Sequence, residues 1–398
     1  MARIITDIQK INEVLSRGVN EVIDSEHLRK RMLSGERLRI KLGIDPTSPN
    51  LHIGRAVALL KLRDFQELGH QVVFIIGDFT GVIGDTSDKE SERPMLDEAT
   101  IKRNMKTYAE QAGKILDMSA VEVKRNSKWL GKLTYKDVAE HANVFSLAEF
   151  SARENIAKRL AEQKRVSLRE ILYPLMQGYD SIAIDADVEI GGTDQRFNLL
   201  AGRELQRYYK KEPQDILMLN LIEGFDGRKM SSSWGNTINL TDEPNDMFGK
   251  VMTVHDELMI KYFVHCTRVS LNDIRQYESR LAQGENPRDT KLDLAQEITR
   301  IYWGEKKARE AREYFVTAFE KKEIPANIPE IVACLGQTFF DALIESGVFS
   351  SKSELTRVFE QGGVHMLEPQ EKTLHRSDEA IESVIKVGKT MFFTIKIK

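Results

Sequence analysis

The sequence predicts an α/β fold built around a parallel β-sheet. Two apolar runs, 38–44 and 71–76, have the character of buried strands, and an amphipathic helical pattern from about Ile53 to Leu68 separates them. Strand, helix and strand joined by short loops form a βαβ unit, in which both strands lie parallel in one sheet. Because a glycine-containing loop follows each strand, the sequence also predicts a ligand site at the carboxyl edge of that sheet.

Composition and charge limit the classes of protein to consider. The 398 residues, 41% of them apolar and 30% charged, predict an ordinary globular chain of two or three domains. The net charge of −3 provides no global basic field, so a nucleic-acid partner would need a local patch. Cys266 and Cys334 have no metal-ligand spacing. Because no signal-peptide pattern or run of membrane-spanning length is present, we expect a cytoplasmic protein without a membrane partner.

The loop after the first strand leads directly into a helix. It runs from Asp45 through His52 to Arg55, and the helix N-terminus that follows favours an anion. Gly43 and Gly54 would allow a planar base or a phosphate to approach the backbone closely. A loop rich in glycine and proline can equally be a plain turn. This stretch alone leaves both interpretations open.

A second glycine-rich loop, 77–86, follows the strand 71–76 and should lie at the same edge of the sheet. The dense run of charges at 88–93 comes next. Such a run is usually a solvated loop, but beside a phosphate site Lys89 and Arg93 would reach an anion. We favour the phosphate role because of the neighbouring loops.

A third feature is a polar row on a helix that the sequence predicts to be buried. Ser167 and Glu170 have the spacing of a capping box that opens this helix. Tyr173, Gln177 and Asp180 follow at positions that share one helix face. Their neighbours are apolar, and a buried polar row needs partners, which a polar ligand would supply. The alternative is a solvent-exposed face.

Two later loops complete the set of candidate site segments. The diglycine 191–192 precedes a helix and again permits close approach at a helix N-terminus. The loop 226–236 is rich in glycine and serine and carries Lys229, which suits a mobile phosphate-binding loop. The alternative for this second loop is a plain linker.

The rest of the chain has mainly helical patterns and ends in a mixed segment. Helical patterns cover 1–37, 96–165 and 240–330. The second of these falls between the two halves of the sheet, which indicates an insertion. Prolines at 325–329 mark a boundary, and residues from about 337 to 398 predict a small unit with two helices, a glycine turn and a final strand at 389–396.

The motifs together resemble those of the class I aminoacyl-tRNA synthetases, and within that family the bacterial tyrosyl-tRNA synthetases. His-Ile-Gly-Arg at 52–55 is similar to the family's His-Ile-Gly-His motif, and Lys-Met-Ser-Ser-Ser at 229–233 to its Lys-Met-Ser-Lys-Ser loop. The polar helix row and the segment 191–195 resemble the family's tyrosine-binding elements. The tail from about 337 resembles an S4-type RNA-binding module, so the resemblance covers nearly the whole chain.

The resemblance implies a three-domain organisation. The expected parts are a Rossmann-like, parallel-sheet catalytic domain at 1–235 with a helical insertion at about 96–165, a helical domain at 236–330, and a small α+β S4-like RNA-binding domain at 337–398. The sequence patterns along these segments agree with that division.

The resemblance also implies a reaction and its partners. The expected enzyme is a ligase that activates L-tyrosine with ATP to tyrosyl-adenylate and then transfers tyrosyl to the 3′ end of tRNA(Tyr). The implied partners are tRNA(Tyr), L-tyrosine, ATP with Mg²⁺ and a second copy of the chain in a homodimer. We expect no DNA partner, no tightly bound cofactor and no metal held by the protein.

Roles for individual residues follow from the same resemblance. Those implied in catalysis are His52, Arg55, Lys229 and Ser232. Those implied in ATP binding are Gly43, Thr47, His52, Gly54, Gly192, Asp194, Lys229 and Met230. Those implied in tyrosine binding are Lys41, Asp45, Asp85, Tyr173, Gln177, Asp180 and Gln195. Lys89 and Arg93 are expected at a phosphate or the tRNA end, and Asn126 near the reacting groups.

Three residues depart from the family's pattern. Arg55 replaces the second histidine of the first motif and can still meet a phosphate through its charged fork. Ser232 replaces the second lysine of the mobile loop, which removes one cation from the pyrophosphate site. Lys41 stands where the better-known branch of the family has a tyrosine. We expect it to pair with Asp180 and to fix that carboxylate.

Other functions remain open at this point. A tryptophan-specific ligase is disfavoured by Asp180, because an indole offers a single N–H donor. An RNA-binding paralogue with impaired activation is suggested by Arg55 and Ser232. The tail 337–398 has eight Lys and Arg residues against nine Asp and Glu, so it either binds RNA through one basic face or only packs or dimerises.

Overall fold

The computed structural model of this chain describes residues 3–87, 95–320, 328–349, 352–388 and 391–398. The chain divides into two compact units, one formed by Met1–Thr241 and Val254–Thr290 and the other by Asp242–Thr253 and Lys291–Lys398. None of the helices in the described ranges combines the length and the apolar character that crossing a bilayer requires.

The strands form two sheets. In chain order they are β1 Val19–Ile23, β2 Arg39–Ile44, β3 Gln71–Ile76, β4 Val121–Arg125, β5 Val188–Gly192, β6 Asp215–Leu219, β7 Glu330–Ala333, β8 Val364–Glu368, β9 Lys372–Thr373, β10 Ser383–Val387 and β11 Met391–Ile397. The first unit contains a sheet of order β1-β6-β5-β2-β3-β4, and the second a sheet of order β7-β11-β10-β8-β9. In the first sheet β1 is antiparallel to β6, and the other neighbours pair in parallel.

Helices make up most of the remaining structure. The α-helices are α1 Ile8–Ser16, α2 Ser25–Leu33, α3 Ile53–Glu67, α4 Thr80–Ile83, α5 Glu98–Asn104, α6 Tyr108–Ala112, α7 Ser127–Leu130, α8 Tyr135–Ala142, α9 Leu147–Ser151, α10 Glu154–Ala161, α11 Leu168–Ala183, α12 Arg196–Tyr208, α13 Pro244–Met252, α14 Met259–Cys266, α15 Leu271–Ala282, α16 Pro287–Phe315, α17 Phe339–Glu345 and α18 Lys352–Glu360. Short 3₁₀ segments are Met105–Thr107, Met118–Ala120, Thr193–Gln195, Ser232–Trp234 and Asp256–Leu258, and Val316–Glu320 is π-helical. The long α16 is interrupted at Gly304, whose φ of 81° is a conformation that glycine adopts readily.

The predicted βαβ unit and the predicted capped helix are both confirmed. β2 and β3 pair in parallel along their whole length, and α3 connects them. Most side chains of the two strands are buried, as expected for a parallel sheet covered on both faces. The capping box between Ser167 and Glu170 opens α11.

The strand order of the first sheet reverses between β2 and β5. Within the described residues these two strands pair only through Ile40↔Val188 and Lys41↔Glu189, and they part beyond those positions. β2 continues through α3 to β3 on one side, and β5 through α12 to β6 on the other. Ligands of open α/β sheets bind in the crevice that such a reversal opens at the carboxyl ends of the strands.

Two edge strands lie in segments that the sequence predicts to be helical. β1 lies within the lead-in 1–37 and adds an antiparallel edge beside β6. β4 lies within 96–165 and pairs with β3 at the opposite edge. The helical prediction is wrong for these two stretches, because partly buried edge strands lack the continuous apolar run that marks a buried strand.

Helices α11 and α12 pack closely because each presents a glycine at their contact. A Cβ at Gly178 of α11 would lie 2.9 Å from Leu205 Cδ1 and 3.1 Å from the backbone of Ala201. A Cβ at Gly202 of α12 would lie 3.2 Å from Ser181 Oγ of α11. This contact fixes the position of α11, which carries the polar row.

The second unit ends in the mixed helix and strand segment that the sequence predicts. β10 pairs antiparallel with β8 and β11, and β7 pairs in parallel with β11. Apolar side chains of α17, α18 and these strands form one buried cluster that includes Phe339, Leu355 and Ile385. The predicted final strand corresponds to β11, and Lys389, its predicted first residue, lies outside the described residues.

We expect Gly178→Ala to lower the melting temperature, although alanine is a better helix former than glycine by about 1 kcal/mol. The added methyl group would meet the backbone of Ala201, which cannot rotate away, and overpacking of this kind costs about 1–3 kcal/mol. Thermal unfolding followed by circular dichroism measures the difference. A higher melting temperature, as expected for glycine in an unobstructed helix, would contradict the close packing of α11 and α12.

Candidate active site

A cavity of about 780 Å³ opens at the carboxyl ends of β2 and β5. The candidate residues that line it are Gly43, Asp45, Thr47, His52, Gly54, Arg55, Asp85, Asn126, Tyr173, Gln177, Asp180, Gly192, Asp194, Gln195, Lys229, Met230 and Ser232. Lys41 is fully buried outside this lining. Lys89 and Arg93 lie outside the described residues. The predicted sheet edge is therefore where the structure brings these candidate side chains together.

The polar row on α11 faces the cavity, and its first member binds Asp45. Tyr173 Oη donates to Asp45 Oδ2 at 2.8 Å, and Thr80 Oγ1 donates to Asp45 Oδ1 at 2.6 Å. Burial raises the pKa of Asp45 to about 6, although these two donors favour its charged form. Two donors therefore hold the Asp45 carboxylate in place as an acceptor. Because its pKa is close to neutral pH, a charged ligand in the cavity would change its protonation.

Asp180 ends the same row and is only 3% exposed. Trp129 Nε1 donates to Asp180 Oδ1 at 2.7 Å, and Asn126 Nδ2 donates to Asp180 Oδ2 at 3.3 Å. Burial raises the pKa of Asp180 to about 7, while the charge of Lys41 and the two donors oppose that rise. Trp129 was not among the predicted site residues, because the stretch 125–129 has no periodic pattern that would indicate the direction of its side chains.

Lys41 forms a different ion pair from the one expected. Lys41 Nζ lies 2.9 Å from Glu189 Oε1, and it donates to the Gln177 carbonyl oxygen at 2.7 Å and to Ser181 Oγ at 2.8 Å. The expected direct pair with Asp180 is wrong, because Glu189 stands opposite Lys41 in the strand register. Sequence reasoning missed Glu189, although a lone carboxylate within the apolar strand β5 was a usable signal.

Side chains from the loop after β3, from the 3₁₀ segment Thr193–Gln195 and from α12 form a second set of contacts. Gln195 Nε2 donates to Asp85 Oδ2 at 2.7 Å. Asn198 Nδ2 donates to Gln195 Oε1 at 2.9 Å and to Ser87 Oγ at 3.1 Å. Because Asp85 accepts from the amide nitrogen and Asn198 donates to the amide oxygen, the orientation of Gln195 is fixed. The sequence did not predict the role of the buried Asn198.

His52 lies at the N-terminus of α3 and is 9% exposed. Burial, together with the positive charge of Arg55, lowers the pKa of His52 to about 3. The ring is therefore neutral, with one nitrogen carrying a proton. A Cβ at Gly54 would lie 3.0 Å from His52 Nδ1 and 3.3 Å from Met230 Sδ. Glycine at position 54 thus allows the His-Ile-Gly segment and the Lys-Met-Ser loop to meet.

Arg55 binds the loop that precedes it. Arg55 Nη1 donates to the carbonyl oxygen of Asp45 at 3.1 Å, and Arg55 Nη2 donates to Thr47 Oγ1 at 3.0 Å. A longer contact of 3.4 Å joins Nη1 to Tyr108 Oη. The guanidinium group therefore holds the turn between β2 and α3 against the start of the helix.

Lys229 lies on a loop that a buried asparagine anchors. Lys229 Nζ is 3.5 Å from Asp194 Oδ2, and its side chain is 38% exposed. Asn236 Nδ2 donates to the Lys229 carbonyl oxygen at 3.1 Å and to Asp226 Oδ1 at 2.8 Å, while Ser231 N donates to Asn236 Oδ1 at 2.8 Å. The base of the loop is fixed, and its cationic end reaches the solvent side of the cavity.

One group of possible metal ligands lies elsewhere in the described part of the chain. Single ligand atoms of Asp24, His27 and Asp215 lie within 4.8 Å of one another. His27 Nδ1 donates to Asp215 Oδ1 at 3.0 Å, and its Nε2 lies 3.1 Å from Glu212 Oε1. The hydrogen bond with Asp215 raises the pKa of His27. We interpret this group as an ion-pair contact that holds α2 against β6.

Comparisons with known proteins agree with this geometry. The family model described as tRNA synthetases class I (W and Y) matches residues 33–320. The chain belongs to this family. The tyrosine–tRNA ligase of Thermotoga maritima is 45% identical over 386 residues, which cover 96% of both chains. That of Haemophilus influenzae is 42% identical over 395 residues, which cover 98% of both chains.

Solved structures share the fold. A C-terminally truncated mitochondrial tyrosyl-tRNA synthetase of Aspergillus nidulans has a TM-score of 0.66 at 20% identity, covering 78% of this chain and 94% of that one. A tyrosyl-tRNA synthetase of Archaeoglobus fulgidus complexed with L-tyrosine has a TM-score of 0.61 at 21% identity, covering 76% of this chain and 99% of that one. At these identities the likeness establishes the fold, and the α/β fold class predicted from the sequence is confirmed.

We expect Asp180→Asn to stabilise the protein more at pH 8 than at pH 5. Burial raises the Asp180 pKa from its ordinary 3.8 to about 7. Between these values the folded state keeps a proton that the unfolded state has lost. The free energy of unfolding therefore falls as the pH rises from 3.8 to about 7. Asparagine removes the titration and keeps an oxygen that accepts from Trp129. Melting temperatures of both proteins at the two pH values are the measurement, and an equal shift at both would contradict the raised pKa.

Proposed function

We propose that this chain is a tyrosine–tRNA ligase, which activates L-tyrosine with ATP and transfers the tyrosyl group to the 3′ end of tRNA(Tyr). The observation that carries the proposal is the pair of carboxylates found at the two ends of the polar row on α11, each of which accepts hydrogen bonds. Asp45 and Tyr173 lie toward one end of this row, and Asp180 with Trp129 at the other. This arrangement suits an amino acid whose side chain ends in a hydroxyl group. Relatives that cover nearly the whole chain carry the same activity in their names.

The tyrosine end of the cavity supplies acceptors to both polar ends of the substrate. We assign the tyrosine ammonium to Asp45, Tyr173 and Gln177, with Asp85 and Gln195 beside them. We assign the phenolic hydroxyl to Asp180, which accepts its hydrogen bond. Phenylalanine offers no such donor, so the buried Asp180 carboxylate would lose a partner at a cost of about 1–3 kcal/mol.

The phosphates of ATP lie, in this proposal, between His52 and the loop that carries Lys229. Adenylate formation needs little covalent help, so positioning and charge stabilisation provide most of the rate. Neutral His52 donates a hydrogen bond that strengthens as charge develops on the α-phosphate. Lys229 neutralises the leaving pyrophosphate, and ATP enters as its Mg²⁺ complex. The other residues assigned to ATP are Gly43, Thr47, Gly54, Gly192, Asp194 and Met230.

The two substituted positions change how the phosphate end is held. Arg55 acts through the loop that it binds and through its charge, which helps to keep His52 neutral. Ser232 contributes a hydroxyl where the family has a second cation. Lys89 and Arg93 then supply the remaining positive charge for pyrophosphate or for the tRNA end.

The proposal extends to the whole chain. We divide it into the catalytic domain 1–235, the helical domain 236–330 and the S4-like domain 337–398, which binds tRNA. Two copies form a homodimer through the segment 96–165. The enzyme works in the cytoplasm, where charged tRNA is used for translation.

The decisive assay for the proposed function is amino-acid-dependent pyrophosphate exchange with ATP and Mg²⁺. We expect exchange with L-tyrosine and none with L-tryptophan or L-phenylalanine at equal concentration. Exchange with tryptophan alone would replace the proposal by a tryptophan ligase. Binding of tRNA without exchange with any amino acid would indicate an RNA-binding paralogue.

We expect Asp180→Ala to remove the preference for tyrosine over phenylalanine. Loss of a hydrogen bond to a charged acceptor should lower kcat/KM for tyrosine by about 10- to 100-fold and change that for phenylalanine much less. Asp185→Ala is the control, because Asp185 is an exposed carboxylate just beyond the end of α11 that pairs with Lys211. An unchanged ratio of the two kcat/KM values in Asp180→Ala would contradict the assigned role.

A further inference from the structure

The buried ion pair between Lys41 and Glu189 lies where β2 and β5 part. These residues form the last paired position between the two strands before the cavity opens. Their side chains are 0% and 1% exposed. Burying two charges is unfavourable unless they pair and their hydrogen-bonding positions are all met. The contacts around this pair explain its presence at the floor of the cavity.

Glu189 accepts hydrogen bonds from four donors. Lys41 Nζ at 2.9 Å and Gln177 Nε2 at 3.1 Å approach its Oε1. Ser181 Oγ at 3.2 Å and Gln214 Nε2 at 2.5 Å approach its Oε2. Each of these partners offers an N–H or O–H group, so the carboxylate serves all four as an acceptor.

The consequence concerns the side-chain amide of Gln177. An amide has a donor end and an acceptor end of nearly equal shape, so its orientation is decided by its partners. Because the Glu189 carboxylate only accepts, Gln177 must turn its NH₂ group toward Glu189. Gln177 lines the cavity, and its Oε1 is therefore the end available to a ligand there. An oxygen attracts an ammonium group, whereas an NH₂ group would oppose it.

We propose that Glu189 is a positioning residue for the amino-acid substrate, and that it acts by fixing the Gln177 amide with its oxygen toward the substrate ammonium. Lys41 supplies the counter-charge that a carboxylate buried at this position needs. Lys41 also donates to the Gln177 carbonyl oxygen at 2.7 Å, so the pair holds both the main chain and the side chain of that residue. This role rests on the proposed function, in which tyrosine brings the ammonium.

Glu189→Gln tests the role with little change of shape. The new amide can donate to Gln177 Oε1 as well as accept, so both orientations of Gln177 become available. We expect the dissociation constant of L-tyrosine, measured by calorimetry, to rise about 10- to 100-fold. The constant for 3-(4-hydroxyphenyl)propanoate, which is tyrosine without its ammonium, should change less than about 2-fold, because it makes no bond to Gln177.

Two further variants separate positioning from folding. Asp215→Asn is the matched control, because Asp215 is a fully buried carboxylate on the neighbouring strand β6, paired with His27 and outside the cavity lining. It should leave both dissociation constants unchanged.

If Glu189→Gln does not fold, Lys41→Met combined with Glu189→Met removes both charges together, a change that buried pairs often tolerate. The double variant should show the same selective loss of tyrosine binding.

The outcomes distinguish this role from the proposed function itself. Equal weakening of both ligands in the Glu189 variants would overturn the positioning role, because a collapsed pocket does not discriminate by the ammonium. Unchanged tyrosine binding would overturn it too. A wild-type protein that binds neither ligand would overturn the proposed function, and the positioning role with it.

Discussion

The parting of β2 from β5 is the constraint on which the site depends. The two strands pair as far as Lys41 and Glu189, and beyond that position their carboxyl ends lead to loops on opposite sides of one cavity. The loop after β2 brings Asp45 and His52, and the segment after β5 brings Asp194 and Gln195. α11 spans the same space with its polar row, and its glycine contact with α12 holds it there.

The carboxylates of the cavity have two kinds of surroundings. Glu189 has a full cationic partner in Lys41 and donors on both oxygens, so its surroundings are complete within the protein. Asp45 and Asp180 have neutral donors instead, and burial raises the pKa of each. The first arrangement holds neighbouring groups in place. The second leaves carboxylates whose charge a ligand can neutralise or to which a proton can bind.

The parts of the fold that the sequence predicted are those with a local physical cause. The βαβ unit follows from apolar runs and a helical period, and the direction of the polar row on α11 follows from its spacing and its capping box. The meeting of the two loops at one sheet edge follows from the parallel strands. The edge strands β1 and β4 were not predicted, because half-exposed strands have only a weak apolar pattern.

The partners of side chains were harder to predict than the elements that carry them. Lys41 was expected to bind Asp180, but the register of β2 against β5 places Glu189 directly opposite. Trp129 and Asn198 act through contacts with residues far away in the sequence, Asp180 and Ser87, and no local period indicates such contacts. Pairing across a sheet depends on register, which a single sequence determines only through the complete fold.

The raised pKa values of Asp45 and Asp180 connect the occupancy of the cavity with the proton balance of the solution. The pKa of Asp45 is about 6 and that of Asp180 is about 7, so each side chain is partly protonated close to neutral pH. A substrate ammonium that settles beside Asp45 favours its charged form and displaces a proton. In the proposed function, binding of the amino acid thus replaces a proton on Asp45 by the substrate ammonium. Its observed enthalpy includes the heat of the buffer that takes up the proton.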